Sequence, residues 1–260
     1  MRVVRYTPTA GGAPSYGLLE GDPEGADAVV VALDGAPYEE VRPTGQRTPL
    51  AQVRLLAPVE PTKVLAYGRN YAEHAAEFGN EVPAIPLVFI KPSTAVTGPD
   101  AEVAYPALTR DLQFEGELGV VIGRRCSGVA PEDVAAVVFG YTVGNDLTMR
   151  DVQKGEPNWT RGKGFDDSCP LGPWVETELD PSALSLRTTV DGALRQDGST
   201  ADMLRDVATC VSFVSEAITL LPGDVVLTGT PAGVGRVEVG EEVAVTIEGI
   251  GTLRTRITAG

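Results

Sequence analysis

Three carboxylates and one imidazole are the groups in this chain best placed to do chemistry. Glu115 and Glu117 stand two apart in FEGELGVVIG, residues 114–123. Positions i and i+2 of a strand face the same side. Burying two like charges there unpaired costs on the order of several kcal/mol. Downstream, VVFGYTVGND places Asp146 at the end of an apolar strand, beside Asn145. Three carboxylates with no His or Cys among them describe an oxygen-only site for a hard divalent ion: Mg²⁺, Mn²⁺ or Ca²⁺. Such an ion would remove the repulsion within the pair. Taken alone, an exposed acidic strand face is the simpler account of Glu115 and Glu117, and spacing does not decide between the two.

His74 is the only histidine in the chain. In GRNYAEHAAE it precedes Glu77 by three residues, so one helical turn sets both on one face. A carboxylate beside an imidazole fixes its tautomer and raises its basicity, as a general base requires. A solvated pair on a helix surface has the same spacing. Two loops could close on a ligand. NWTRGKGFDDSCPLGPW, 158–174, sets Lys163 between glycines, which suits either a mobile closing loop or a plain surface turn. LLPGDVVLTGTPAGVG, 220–235, runs from a strand into Gly and Thr. Its backbone N–H groups could hold an anion, or the turn could simply be tight.

The elements that must position these groups are mostly strands. MRVVRY, SYGLL and DAVVVALDG alternate with Gly and Pro punctuation and read as a small N-terminal domain over residues 1–57. A proline-containing linker near 57–63 leads to a larger domain, 58–260, of short apolar strands: VLAYG, LVFI, ELGVVIG and VFGYTVGND. The clearest helix is expected over 206–220, with Asp206 at its start and LPGD at its end. TTVDGALRQDG reads as a hairpin with Asp191-Gly192 in a type I′ turn. EEVAVTIEGIGTLRTRI reads as two strands joined by a Gly-containing turn. The class is mostly β with some α, not a regular βαβ series.

Composition excludes several roles. The 260 residues are 43% hydrophobic and 22% charged, enough for a substantial core. A net charge of −15 opposes nucleic acid and anionic membrane surfaces as partners. Three cysteines, none at C-x-x-C spacing, oppose a disulfide framework, and no signal-like or membrane-spanning run occurs, so a cytoplasmic location is expected. There is no G-x-G-x-x-G after a strand, no intact P-loop and no G-x-S-x-G elbow.

GRNYAEHAAE, FEGELGVVIG, GYTVGNDLTMRDVQ, WTRGKGFDDSCPLGPW and GDVVLTGTPAGVG occur in that order between about Lys63 and Ile257. Together they resemble the fumarylacetoacetate hydrolase family. The nearer likeness is to its bacterial branch of acylpyruvases and 2-hydroxyhepta-2,4-diene-1,7-dioate isomerases. The resemblance implies a β-roll of mixed sheets with a small N-terminal domain, and a homodimer. It implies that Glu115, Glu117 and Asp146 bind Mg²⁺ or Mn²⁺, with Ca²⁺ a further option. His74 and Glu77 would together activate a water. Lys163 and Gln153 would donate to the oxyanion. Thr230 would lie near the substrate carboxylate, and Arg69 would contact substrate.

The implied reaction is hydrolysis of a C–C bond in a 2,4-diketo acid, with pyruvate leaving as an enolate that the cation stabilises. Decarboxylation of an oxaloacetate-type β-keto acid, or isomerisation of a hydroxy-dienedioate, passes through the same enolate. Such activities would fit aromatic catabolism. A metal-dependent protein that binds small acids without turning them over is the alternative outside catalysis.

Overall fold

The computed structural model describes residues 1–77, 79 and 81–260. The N-terminal strands are β1 (Arg2–Pro8), β2 (Ser15–Glu20), β3 (Val29–Leu33), β4 (Pro43–Pro49) and β5 (Val53–Leu56). β6 (Lys63–Gly68) leads into helix α1 (Ala72–Glu77), followed by β7 (Leu87–Pro92), β8 (Val96–Thr97) and β9 (Ala101–Ala104). The central strands are β10 (Leu112–Phe114), β11 (Gly116–Ile122), β12 (Val138–Asn145) and β13 (Thr148–Met149). Two short helices, α2 (Arg150–Gly155) and α3 (Thr160–Lys163), precede β14 (Cys169–Glu176). The last elements are β15 (Ser185–Val190), β16 (Ala193–Ser199), α4 (Val207–Ala217), β17 (Val225–Leu227), β18 (Gly235–Arg236), β19 (Glu242–Ile247) and β20 (Gly251–Thr258).

The main sheet runs β4-β3-β2-β1-β14-β12-β11-β17-β6-β7. A five-stranded sheet, β16-β15-β19-β20-β9, packs against its middle. Most pairs are antiparallel, but β6 with β17, β8 with β14 and β9 with β20 are parallel, so the sheets are mixed as expected. The N-terminal strands join the main sheet directly: Arg2 pairs with Glu176 and Val3 with Val175.

β11 is buried along its whole length, and Leu118, Val120 and Ile122 have no exposed surface. Each such side chain contributes about 1.5–3 kcal/mol by leaving water. That rigid strand is what presents Glu117. The Asp191-Gly192 turn has positive φ at both residues (46° and 79°), as a type I′ hairpin demands. α4 starts where expected, with the Asp206 carboxylate accepting from the Thr209 N–H at 2.8 Å. It stops at Ala217, short of residue 220, because Leu220 and Cys126 exchange backbone hydrogen bonds of 2.9 and 3.0 Å. A long-range bridge thus outcompetes the last helical turn.

Asp224 anchors the start of β6. It is fully buried and accepts from the Thr62 N–H and hydroxyl, the Leu221 N–H and the Lys63 ammonium at 2.5 Å. Removing one partner of such a pair leaves the other charge poorly solvated. Asp224→Ala is therefore expected to lower the unfolding free energy by about 3–5 kcal/mol, read from the urea midpoint at unchanged m-value. A loss below 1 kcal/mol would contradict this anchoring role. No helix among the described residues is long and apolar enough to cross a membrane.

Candidate active site

The antiparallel register of β11 and β12 brings the acidic residues together. Gly116 lies opposite Asn145, and Glu117 opposite Gly144. Glu115 occupies the one-residue break between β10 and β11. Its N–H donates to Asn145 Oδ1 at 3.1 Å, and its carbonyl accepts from the Asp146 N–H at 2.8 Å. These bonds lock the two chain segments edge to edge. Carboxylate oxygens of Glu115, Glu117 and Asp146 consequently lie within 4.8 Å of one another, all three buried.

Charge compensation around the three is unequal. The Lys163 ammonium donates to Glu115 Oε2 at 2.5 Å and Asp146 Oδ2 at 2.6 Å. The Arg150 guanidinium donates to Glu115 Oε1, and the Lys91 ammonium to Asp146 Oδ1 at 2.5 Å. Burial pushes the Glu115 carboxyl up, but Lys163 and Arg150 outweigh it and hold it well below the carboxylate range. Glu117 Oε2 accepts from the Gly229 N–H at 2.7 Å, and no ion pair joins Glu117 to a cation among the described residues. Burial first, then Asp146 and Glu115, push its carboxyl well above the ordinary value. Gly229 can make this contact because its φ of +94° suits glycine, and because a Cβ there would sit 2.9 Å from Asn70 Cβ.

This donor set fits a divalent ion. Oxygens bound to one Mg²⁺, Mn²⁺ or Ca²⁺ at about 2.0–2.6 Å are at most about 4–5 Å apart, and the three carboxylates have that span. The set is all oxygen, and no cation of the chain pairs with Glu117 among the described residues, so a divalent ion would supply the charge that favours its ionised form.

A cavity of about 350 Å³ opens onto the cluster. Of the nine residues singled out in the sequence, seven line it: Arg69, His74, Glu115, Glu117, Gln153, Lys163 and Thr230. Asp146 lies behind this wall against Lys163, and Glu77 lies behind His74. The Asn70 side chain pins the turn that carries Arg69. It donates to the Arg205 and Thr228 carbonyls and accepts from the Arg205 N–H. Arg69 itself has a φ of +58°. The α1 turn then buries His74, with Nδ1 3.4 Å from Glu77 Oε2. Glu77 is held in turn by the Gly233 N–H at 3.2 and 3.3 Å. Burial pushes the His74 imidazole below its ordinary value, against the opposing pull of Glu115 and Glu77.

Two of these side chains have further partners. The Lys163 ammonium is paired within the acidic cluster. The Thr230 hydroxyl donates to the Gly116 carbonyl at 2.8 Å and accepts from Gln196 at 2.7 Å, so its proton is already used. Gln153 is held by its neighbour on the same helix. Its Oε1 accepts from Arg150 at 2.7 Å, which leaves the amide N–H₂ as donor.

Sequence reasoning missed Lys91, Arg150 and Gln196. Arg150 sits within the same LTMRDVQ segment as Gln153, and that proximity was the available signal. Lys91 had none, since LVFI reads only as one of several short apolar strands.

A family model described as fumarylacetoacetate (FAA) hydrolase C-terminal matches residues 63–258, and one described as Rv2993c-like, N-terminal, matches 1–58. Protein Rv2993c of Mycobacterium tuberculosis is 50% identical over 213 residues, covering 81% of this chain and 80% of that protein. Oxaloacetate tautomerase FAHD1, mitochondrial, of Pongo abelii is 42% identical over 201 residues, covering 75% and 90%. Among solved structures, 5-carboxymethyl-2-hydroxymuconate delta-isomerase from Mycobacterium smegmatis superposes with a TM-score of 0.93 at 45% identity over 100% of both chains. Fumarylpyruvate hydrolase from Pseudomonas aeruginosa, solved with Mn²⁺ and pyruvate, gives 0.74 at 34% identity over 88% and 94%.

Proposed function

The chain belongs to the fumarylacetoacetate hydrolase family, and from that premise we propose that it is a divalent-cation-dependent enzyme that hydrolyses a C–C bond in an acylpyruvate-type 2,4-diketo acid. The observation that carries this reading is one cavity lined by His74, with Glu77 behind it, and by Glu115 and Glu117, with Asp146 behind them. A divalent cation held by Glu115, Glu117 and Asp146 would supply a Lewis acid for the α-keto acid end of the substrate.

The remaining work falls to side chains. The His74 imidazole is neutral near neutral pH because it is buried, so it can accept a proton from water. Glu77, fixed by Gly233, lies 3.4 Å from His74 Nδ1, where its charge would favour a proton on that nitrogen and so Nε2 as the acceptor. Hydroxide adds to the distal carbonyl, and the Gln153 amide donates to the oxyanion that forms there. The C–C bond then breaks. Its electron pair leaves with pyruvate as the enolate, which takes a proton at C3, and the acyl fragment departs as a carboxylic acid. Arg69 lies on the cavity wall, where it could meet the carboxylate of an anionic substrate.

Oxaloacetate tautomerisation is the second reading, favoured by the name of the Pongo abelii relative. It would use His74 to move a proton between C3 and solvent, and needs no attacking water. The two are separated by assaying acetylpyruvate, fumarylpyruvate, enol-oxaloacetate and 2-hydroxyhepta-2,4-diene-1,7-dioate with Mn²⁺ or Mg²⁺. Release of pyruvate from an acylpyruvate, lost in EDTA and restored by Mn²⁺, is the expected result. Accelerated decay of enol-oxaloacetate with no pyruvate from any acylpyruvate would replace hydrolysis by tautomerisation. Activity that survives EDTA would remove the cation from the scheme.

A further inference from the structure

Lys91 is buried in the wrong place for a lysine. β7 is an edge strand whose neighbouring Ile90 is 48% exposed, yet Lys91 has no exposed surface at all. An apolar residue faces out and an ammonium faces in. A buried ammonium costs on the order of several kcal/mol unless well paired, so its partners indicate what the fold gains. Lys91 Nζ donates to Asp146 Oδ1 at 2.5 Å and also to the Lys163 carbonyl. The other Asp146 oxygen, Oδ2, accepts from the Lys163 ammonium. A closed ring results: Lys91, the Asp146 carboxylate, the Lys163 side chain, the Lys163 carbonyl, and Lys91 again. The Lys163 carbonyl is held a second time by the Ser168 hydroxyl at 2.9 Å.

We propose that Lys91 is the positioning residue of the cation site. It fixes the rotamer of the Asp146 carboxylate so that Oδ2 faces Glu115, and it fixes the backbone from which Lys163 reaches the same oxygen. This rests on the reading that Glu115, Glu117 and Asp146 hold a divalent cation. Groups that orient ligating carboxylates typically contribute about 10–100-fold in metal affinity. A lysine that only fills the core would contribute nothing to that affinity. A lysine acting as a mere repelling charge would weaken affinity, so its removal would tighten binding.

The test is calorimetric titration of Mn²⁺ into the metal-stripped protein, with substrate absent. Lys91→Met, which matches the length without the charge, is expected to weaken Mn²⁺ binding by about 10–100-fold. Lys91→Gln, which keeps one N–H donor, is expected to lose less. Unchanged or tighter binding in Lys91→Met overturns the proposal, whatever happens to its melting temperature. Should Lys91→Met not fold, Lys91→Gln decides: affinity within twofold of the unsubstituted protein overturns the proposal, and weaker binding supports it. If the unsubstituted protein takes up no Mn²⁺, the cation reading itself has failed. If it binds and Lys91→Met binds equally well, only the positioning role has failed.

Discussion

Glu117→Gln is expected to abolish divalent-cation binding and to lower turnover by on the order of 10³-fold, while the cation-free protein stays at least as stable. The two effects have opposite signs because Glu117 is the poorly compensated member of the cluster. Glu115 has Lys163 and Arg150, and Asp146 has Lys163 and Lys91. Glu117 has the Gly229 N–H. The Gln carbonyl keeps that hydrogen bond and the side-chain volume, and discards the charge. The pH dependence follows from the raised Glu117 carboxyl. Between the ordinary carboxylate range and its raised value, the folded protein holds a proton that the unfolded chain has released. Stability of the cation-free protein therefore falls as pH rises through that window. Gln cannot titrate, so this part of the slope disappears in the variant. Melting temperatures at pH 5 and pH 8, with and without Mn²⁺, test both halves. Intact Mn²⁺ affinity, or a stability loss of several kcal/mol, would mean that Glu117 is a structural carboxylate.

The sequence exposes some parts of this site and hides others for identifiable reasons. Glu115, Glu117 and Asp146 stand out because carboxylates interrupt apolar strands, but their spacing leaves an exposed face equally open, and it is the resemblance of the five ordered motifs that puts them at one site. His74 is legible because it is unique in the chain. The strands β1–β3, the Asp191-Gly192 turn and the start of α4 follow from local chemistry alone. Long-range pairing does not. Nothing in MRVVRY shows that Val3 will lie beside Val175, and nothing in LLPGD shows that Leu220 will leave α4 to pair with Cys126. Lys91 is hidden by the same limit. Alternation in LVFIKP does not reveal which face is covered, and the partners that accept its charge lie 55 and 72 residues away. The Thr230 partners are hidden for the same reason: its hydroxyl donates to the Gly116 carbonyl, 114 residues away in the chain.

His74→Asn separates the reactions that this cavity could perform. Cleavage of an acylpyruvate needs a proton taken from water, and loss of a general base costs about 10²–10⁴-fold. That fall is expected in kcat for pyruvate release. Asn is close in size to His, and Glu77 keeps its own hydrogen bond from the Gly233 N–H, so α1 keeps that anchor. Mn²⁺ affinity should change little, because His74 is not among the carboxylates that would hold the ion. Decarboxylation of oxaloacetate should survive, since CO₂ departs without an activated water. Tautomerisation should not survive, since the proton on C3 still needs a base. In the unsubstituted protein, the acidic limb of kcat/KM should fall below the ordinary imidazole value of about 6.5, because burial pushes His74 down. Activity is lost as pH drops through that limb and His74 takes up a proton. Residual hydrolysis in His74→Asn should lack the limb. Equal loss of decarboxylation and hydrolysis would show that His74 binds substrate and does not activate water. An acidic limb retained in the variant would assign the titrating base to another group.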